Sequence, residues 1–187
     1  MASSSISSKP LVILQKFLLL AIISLFFFNN CNPVVADHDL MKSQCEITEA
    51  PALCMECLES NPKSEKADTL GIAMIIVNCL SNNSQTTVSN FTSIVKNITN
   101  KNIKMFITMN CIEPYHDLIE NISAVDNHLK KREYDQACDG LSTANDIAYA
   151  CSDGIDRYRE LIPGWVFYGM RVFDQLSVAA MRIIDHF

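Results

Sequence analysis

Cys54-x2-Cys57 has the spacing of a redox dithiol, and the carboxylate pairs Glu113/Asp117 and Asp135/Asp139 stand at i, i+4, neighbours on one helix face. A thiol pair could exchange disulfides; a carboxylate pair could move protons. Each needs a context that the surrounding residues do not supply. A redox Cys-x2-Cys follows a strand and opens a helix, and no strand alternation precedes Cys54. Zinc would need a second ligand pair at matching spacing, whereas His38, His116, His128 and His186 are scattered. No Ser/His/Asp set sits in a recognisable local frame. The carboxylates therefore read as a solvated helix surface or, in the functional reading, as an acidic, hydrogen-bonding surface able to meet a partner. Asp117, Glu120, Asp135 and Asp139 are assigned to it, and binding rather than catalysis is expected.

The compartment decides how the cysteines are read. Residues 1–16 are Ser-rich, with Lys9 and Lys16 and no acid; Phe17 to Phe28 are apolar; Val34-Val35-Ala36 places small residues where a signal peptidase cuts. The apolar run is shorter than the roughly 20 residues of a membrane span. Residues 1–36 are thus expected to be a cleaved signal peptide, leaving 37–187 as one domain. Losing two of 15 basic residues leaves 13 against 21 acidic ones, a formal charge of −8. That balance repels nucleic acid and offers no polybasic patch to a membrane surface. The Asn-x-Ser/Thr sequons at Asn82, Asn90, Asn97 and Asn121 fit export as glycosylation acceptors. At 100° per residue the first three fall within an arc of about 80°, which would keep that face wet and away from a partner.

Apolar residues recur at helical spacing in four long series, Leu70 to Ile98, Ile103 to Leu129, Ala137 to Ile155 and Val166 to Ile184. The breaks between them are polar or carry turn residues, as at Ile162-Pro163-Gly164. Long helices with short connections make antiparallel neighbours. The expected fold is all-α: an up-down-up-down four-helix bundle over 67–187, preceded by a short helical hairpin over 37–66 that turns at Asn61-Pro62. Pro114, inside the second series, should kink that helix or leave it irregular.

Export removes Cys31 and leaves seven cysteines for an oxidising environment. Cys111 lies twenty residues before the turn near Lys131 and Cys151 twenty after it. In an antiparallel pair of equal rise the two share one height, so they are expected to bridge. Cys45 and Cys54, separated by eight residues with Pro51 favouring a bend, form the second expected pair. Cys57, Cys79 and Cys138 find no cysteine opposite and read as buried thiols, with a Cys57–Cys79 bridge as the alternative.

Cys45-x2-Thr48-x2-Pro51-x2-Cys54, then Leu58, Pro62, Ala67-Asp68 and Leu70, resemble the plant invertase and pectin methylesterase inhibitor family. The likeness resumes at Cys111, Tyr115, Leu118, Leu129 and Tyr134-Asp135-x-Ala137, and closes with Ser142-x-Ala144 and Cys151. It implies a hairpin on a four-helix bundle, each holding one disulfide, in a protein secreted to the cell wall. It also implies inhibition of pectin methylesterase or acid invertase by occupying the enzyme's substrate cleft, without cofactor or covalent chemistry. Some invertase inhibitors of the family carry Pro-Lys-Phe where this chain has Tyr134-Asp135-Gln136. Pectin methylesterase is therefore the expected target and invertase the alternative. The family's Ser-Ala-Ala-Leu has become Ser142-Thr143-Ala144-Asn145, and a non-inhibitory interaction bundle is the reading that this change motivates. The same fold also leads longer pectin methylesterases, but no catalytic domain follows before Phe187.

Overall fold

The longest helix begins where Asp68, in extended conformation, accepts a hydrogen bond from Gly71 N at 2.8 Å and so caps the first turn. This helix is α3 of a computed structural model that describes residues 38–187. The signal segment, its cleavage after Ala36 and Cys31 lie outside the described residues. Ahead of α3 come α1 (His38–Glu46), α2 (Pro51–Glu59) and a 3-10 turn, Ser64–Lys66. After α3 (Thr69–Asn97) come α4 (Lys101–Ile107), a π-helical turn (Thr108–Ile112), α5 (Glu113–Lys131), α6 (Tyr134–Asp156) and α7 (Gly164–Ile184).

Half of α3 is made of poor helix formers. From Ser81 to Ser93 it is rich in Ser, Thr and Asn, whose side chains compete for the backbone. Here they satisfy that competition inside the helix. Ser84 and Thr87 donate to the carbonyls of Leu80 and Asn83 at 2.8 and 2.9 Å, as Thr86 and Thr92 do toward Asn82 and Val88. The buried stripe Ile72, Ile76, Leu80, Thr87, Phe91 holds the helix on the core through this stretch.

The four long segments close into a ring. α3 packs on α5 and α7, α6 packs on α5 and α7, and α3 and α6 face one another across the diagonal. With successive helices reversing direction, this is the up-down-up-down bundle, and the described residues contain no strand. Leu118, Ile122 and Leu129 of α5 meet Leu141 and Ala148 of α6 and Phe173 of α7 in one core. Between α5 and α6 the turn is only Arg132-Glu133. Arg132 is left-handed (φ 62°), Arg132 N donates to Leu129 O at 3.0 Å and Glu133 N to His128 O at 2.9 Å. This Schellman closure, on a residue other than glycine, locks the register of the pair. A Cβ at Gly140 would stand 2.7 Å from Val125 Cγ2, so a side chain there would displace Val125.

Pro114 acts as anticipated, but by a specific device. It has no N–H for the carbonyl of Asn110, and its ring would strike that carbonyl in a regular helix. The chain widens by a residue over Thr108–Ile112, and the helix resumes with Pro114 in its first turn. Cys111 lies in this wide turn, fully buried, and is bonded to Cys151 of α6 with a Cα–Cα distance of 4.9 Å.

The hairpin differs from expectation in two respects. It turns at 47–50, after which Pro51 opens α2; Asn61-Pro62 follows α2 and belongs to the passage into the bundle. Proline at the first helical position needs no N–H partner, so Pro51 starts a helix rather than merely bending the chain. Cys57 and Cys79 are also not thiols: they form a third disulfide, from α2 to α3, alongside Cys45–Cys54 from α1 to α2. Cys54 and Cys57, three apart on α2, thus staple it on both sides, and the dithiol spacing is spent on two different bridges. Equal-height reasoning fails for this pair because residues 60–68 are not a tight turn. They contain the 3-10 turn and the extended residues Ala67 and Asp68, which shift one helix along the other.

Tyr115 is the largest fully buried side chain, edge-on to Phe91 with centroids 6.2 Å apart, and its hydroxyl has no hydrogen-bond partner. Burial pushes its phenol well above the ordinary range. An unpaired buried hydroxyl costs stability, whereas the ring contributes by packing. Tyr115→Phe is therefore expected to be neutral or to stabilise by about 1 kcal/mol, read from the urea midpoint.

Candidate functional site

α5 and α6 are joined by a two-residue turn at one end, and the Cys111–Cys151 bridge ties them at the other. Asp117 and Glu120 lie on the outer side of α5, and Asp135 and Asp139 on that of α6; all four are exposed. They do not form one cluster. Counting back from the turn, Asp139 is level with Asp126, so Asp117 stands about 14 Å further along the hairpin. The acids make two pairs at opposite ends of one face. Asp146 joins the far pair: it is exposed, seven residues beyond Asp139 on the same side of α6, and level with Glu120. An i, i+7 spacing carries that signal, but an aspartate so placed resembles any solvated residue.

The turn end of the face is partly neutralised. Lys130 pairs with Asp126, and the His128 ring meets Glu133 at 2.7 Å. Tyr134 is half-buried on the Phe187 ring, centroids 4.8 Å apart, so at the head of α6 only the Asp135 and Gln136 side chains stand free. The altered segment at 142–145 has its own packing. Asn145 Nδ2 donates to Asp174 Oδ1 of α7 at 3.0 Å, a polar contact between α6 and α7. Tyr149, Trp165 and Tyr168 are also well exposed, and the hydrophobic periodicity does not single them out.

Among the sequons, Asn82 and Asn97 are exposed on α3, while Asn90 and Asn121 are half-buried. Asn121 lies on α5, one turn beyond Asp117. Among the described residues no group of three or more His, Cys, Asp or Glu is placed to hold a metal ion, and no helix is long and apolar enough to cross a membrane.

Cys138 is the free cysteine of the described residues. Its Sγ donates to Asp185 Oδ1 at 3.6 Å. Burial, then Asp185, then Asp135 and Asp139 push the thiol up to about 11. Because the thiolate is the nucleophile, alkylation by iodoacetamide at pH 8 should run about a hundredfold below that of an ordinary thiol, with the rate rising as pH approaches 11. Mass spectrometry of the Cys138 peptide over time would measure it.

The fold is a disulfide-stapled helical bundle with exposed acidic residues along α5 and α6. The chain belongs to the plant invertase/pectin methylesterase inhibitor family, whose model matches residues 39–177. It is 27% identical over 139 residues to a pectinesterase inhibitor of Actinidia deliciosa, covering 74% of this chain and 75% of that protein. To a cell wall / vacuolar inhibitor of fructosidase 2 from Arabidopsis thaliana it is 24% identical over 122 residues, 65% of this chain and 68% of the relative. The crystal structure of mutant form A of a pectin methylesterase inhibitor from Arabidopsis has the same fold. Its TM-score is 0.67 at 21% identity, over 78% of this chain and 95% of that one. A second Arabidopsis pectin methylesterase inhibitor structure agrees, with a TM-score of 0.60 at 21% identity over 80% and 96%.

Proposed function

We propose that this chain is exported to the cell-wall space and inhibits pectin methylesterase non-covalently, laying its α5–α6 face over the substrate cleft. The observation that carries the reading is the family match across residues 39–177 together with the likeness to a pectinesterase inhibitor. The geometry supports it. The face is stapled and acidic, and complementary charge on a cationic target speeds encounter and sets orientation. Rigidity matters because little ordering entropy is then lost on binding. No cofactor or bond-making step enters this mechanism; the inhibitor works by denying pectin the cleft.

Invertase is the second target to consider, because the chain is also similar to an inhibitor of fructosidase. Tyr134-Asp135-Gln136 argues against it, since Tyr134 is tied to Phe187 and the segment carries no cation. A titration decides. Residues 37–187, purified with their disulfides intact, are added to pectin methylesterase and separately to acid invertase. Loss of pectin methylesterase activity at near-stoichiometric inhibitor is the expected result. Loss of invertase activity alone would reassign the target, and loss of neither would leave a non-inhibitory interaction bundle.

A further inference from the structure

Where α3 ends, a groove of about 430 Å³ opens between it and the loop joining α6 to α7. Its walls are Ile94 and Ile98 on one side and Leu161 and Pro163 on the other, with Asn97 and Thr99 at the rim. Leu161 is half exposed, an apolar side chain that its own loop does not cover. Asn97-Ile98-Thr99 is a sequon, and all three of its residues line this groove.

The other two sequons of α3 sit differently. In Asn82-Asn83-Ser84 the Ser84 hydroxyl is buried and bonded to Leu80 O at 2.8 Å; in Asn90-Phe91-Thr92 the central Phe91 is a core residue. Asn97 is the last residue of its helix, Ile98 is extended (ψ 121°), and Asn97 Nδ2 is held only by a long 3.4 Å contact to Ser93 O. The acceptor atom is therefore exposed at the lip of an apolar groove, where an attached group could fold back.

We infer that Asn97 carries an N-linked oligosaccharide whose first N-acetylglucosamine lies in this groove, its C–H face on Ile98 and Leu161 and its hydroxyls toward solvent. The inference rests on the export reading, because the donor is a lipid pyrophosphate-linked oligosaccharide of the secretory pathway. Asn97 Nδ2 forms the bond to sugar C1, the C1–O bond to pyrophosphate breaks, the amide gives up one proton and the lipid pyrophosphate leaves. Nothing is oxidised or reduced. Apolar walls with a few polar rim groups suit a pyranose, which is itself apolar on one face and polar at its edge.

The test uses the chain secreted from a eukaryotic host. Peptide mass mapping should find Asn97 occupied. An endoglycosidase that leaves a single N-acetylglucosamine should leave the melting temperature where it was. N97Q and T99A, both lacking the sugar, should melt about 2–4 °C lower, while N82Q should not shift. In a Leu161→Ser background the difference between one sugar and none should close. A secreted chain with a bare Asn97, or equal melting of the one-sugar and N97Q proteins, would overturn the inference alone. A chain retained in the cytosol would overturn the export reading and the inference with it.

Discussion

Alanine at both Cys111 and Cys151 is expected to lower the unfolding free energy by about 4 kcal/mol, because the bridge closes the longest loop of the three. The sequence separation is 40, against 22 for Cys57–Cys79 and 9 for Cys45–Cys54. The same chain-entropy argument gives about 3.5 and about 2.5–3 kcal/mol for those two. Against a total of about 5–15 kcal/mol for a domain, the longest bridge is a large share. Alanine is preferred to serine because all four sulfurs of Cys45–Cys54 and Cys111–Cys151 are fully buried, and a serine hydroxyl would add an unpaired donor. Removing Cys111–Cys151 also frees the π-helical turn, so amide exchange should accelerate around Thr108–Ile112 before the bundle opens. Removing Cys57–Cys79 should instead loosen α1–α2 from α3 and leave the exchange of α5 and α6 unchanged. Urea titrations of the three double variants, ranked by midpoint, would check the order; equal midpoints would sink it.

That order also shows why some of the architecture can be read from residues and some cannot. The Cys111–Cys151 bridge follows from counting because Arg132-Glu133 is a tight reversal, and two helices of equal rise then keep the same register. The same count fails for Cys57 and Cys79, where residues 60–68 wander through a 3-10 turn and two extended residues. No local spacing records that offset. Apolar periodicity located α3 to α7 because burial recurs every turn. Pro51 and Pro62 show the limit: both mark a break, but which of them turns the hairpin depends on whether the following residues can pack as a helix. Pro114 likewise announces an irregularity, while its form, a wide turn that holds Cys111, is seen only in the folded chain.

The proposed docking face was less legible than the fold. Asp117, Glu120, Asp135 and Asp139 have the composition of any solvated helix surface, so residue type alone cannot tell a docking acid from an idle one. Their arrangement as two separated pairs, with Asp146 beside Glu120, appears only when the hairpin is folded. Burial leaves a periodic trace in sequence; exposure toward a partner leaves none. Asn145 illustrates the same point. As a departure from a family motif it motivates a non-inhibitory reading, yet its contact with Asp174 becomes visible only across two helices.

Reversing all four acids (D117K, E120K, D135K, D139K) should weaken inhibition of pectin methylesterase by one to two orders of magnitude. The change takes residues 37–187 from a formal −8 to zero. Exposed charges act mainly on encounter, so the association rate should fall about 10- to 100-fold and lose most of its dependence on salt, while dissociation changes less. Folding should survive, since none of the four side chains makes an ion pair or hydrogen bond among the described residues. The main structural loss is Asp135 from the first turn of α6, worth about 0.3–1 kcal/mol through the helix dipole. Cys138 supplies an internal gauge. Asp135 and Asp139 help hold its thiol protonated, so lysines there should speed its alkylation at pH 8, reporting that the local field has changed. Unaltered inhibition in a variant whose Cys138 has become more reactive would show that the acids face only water, and the docking surface would have to lie elsewhere on the bundle.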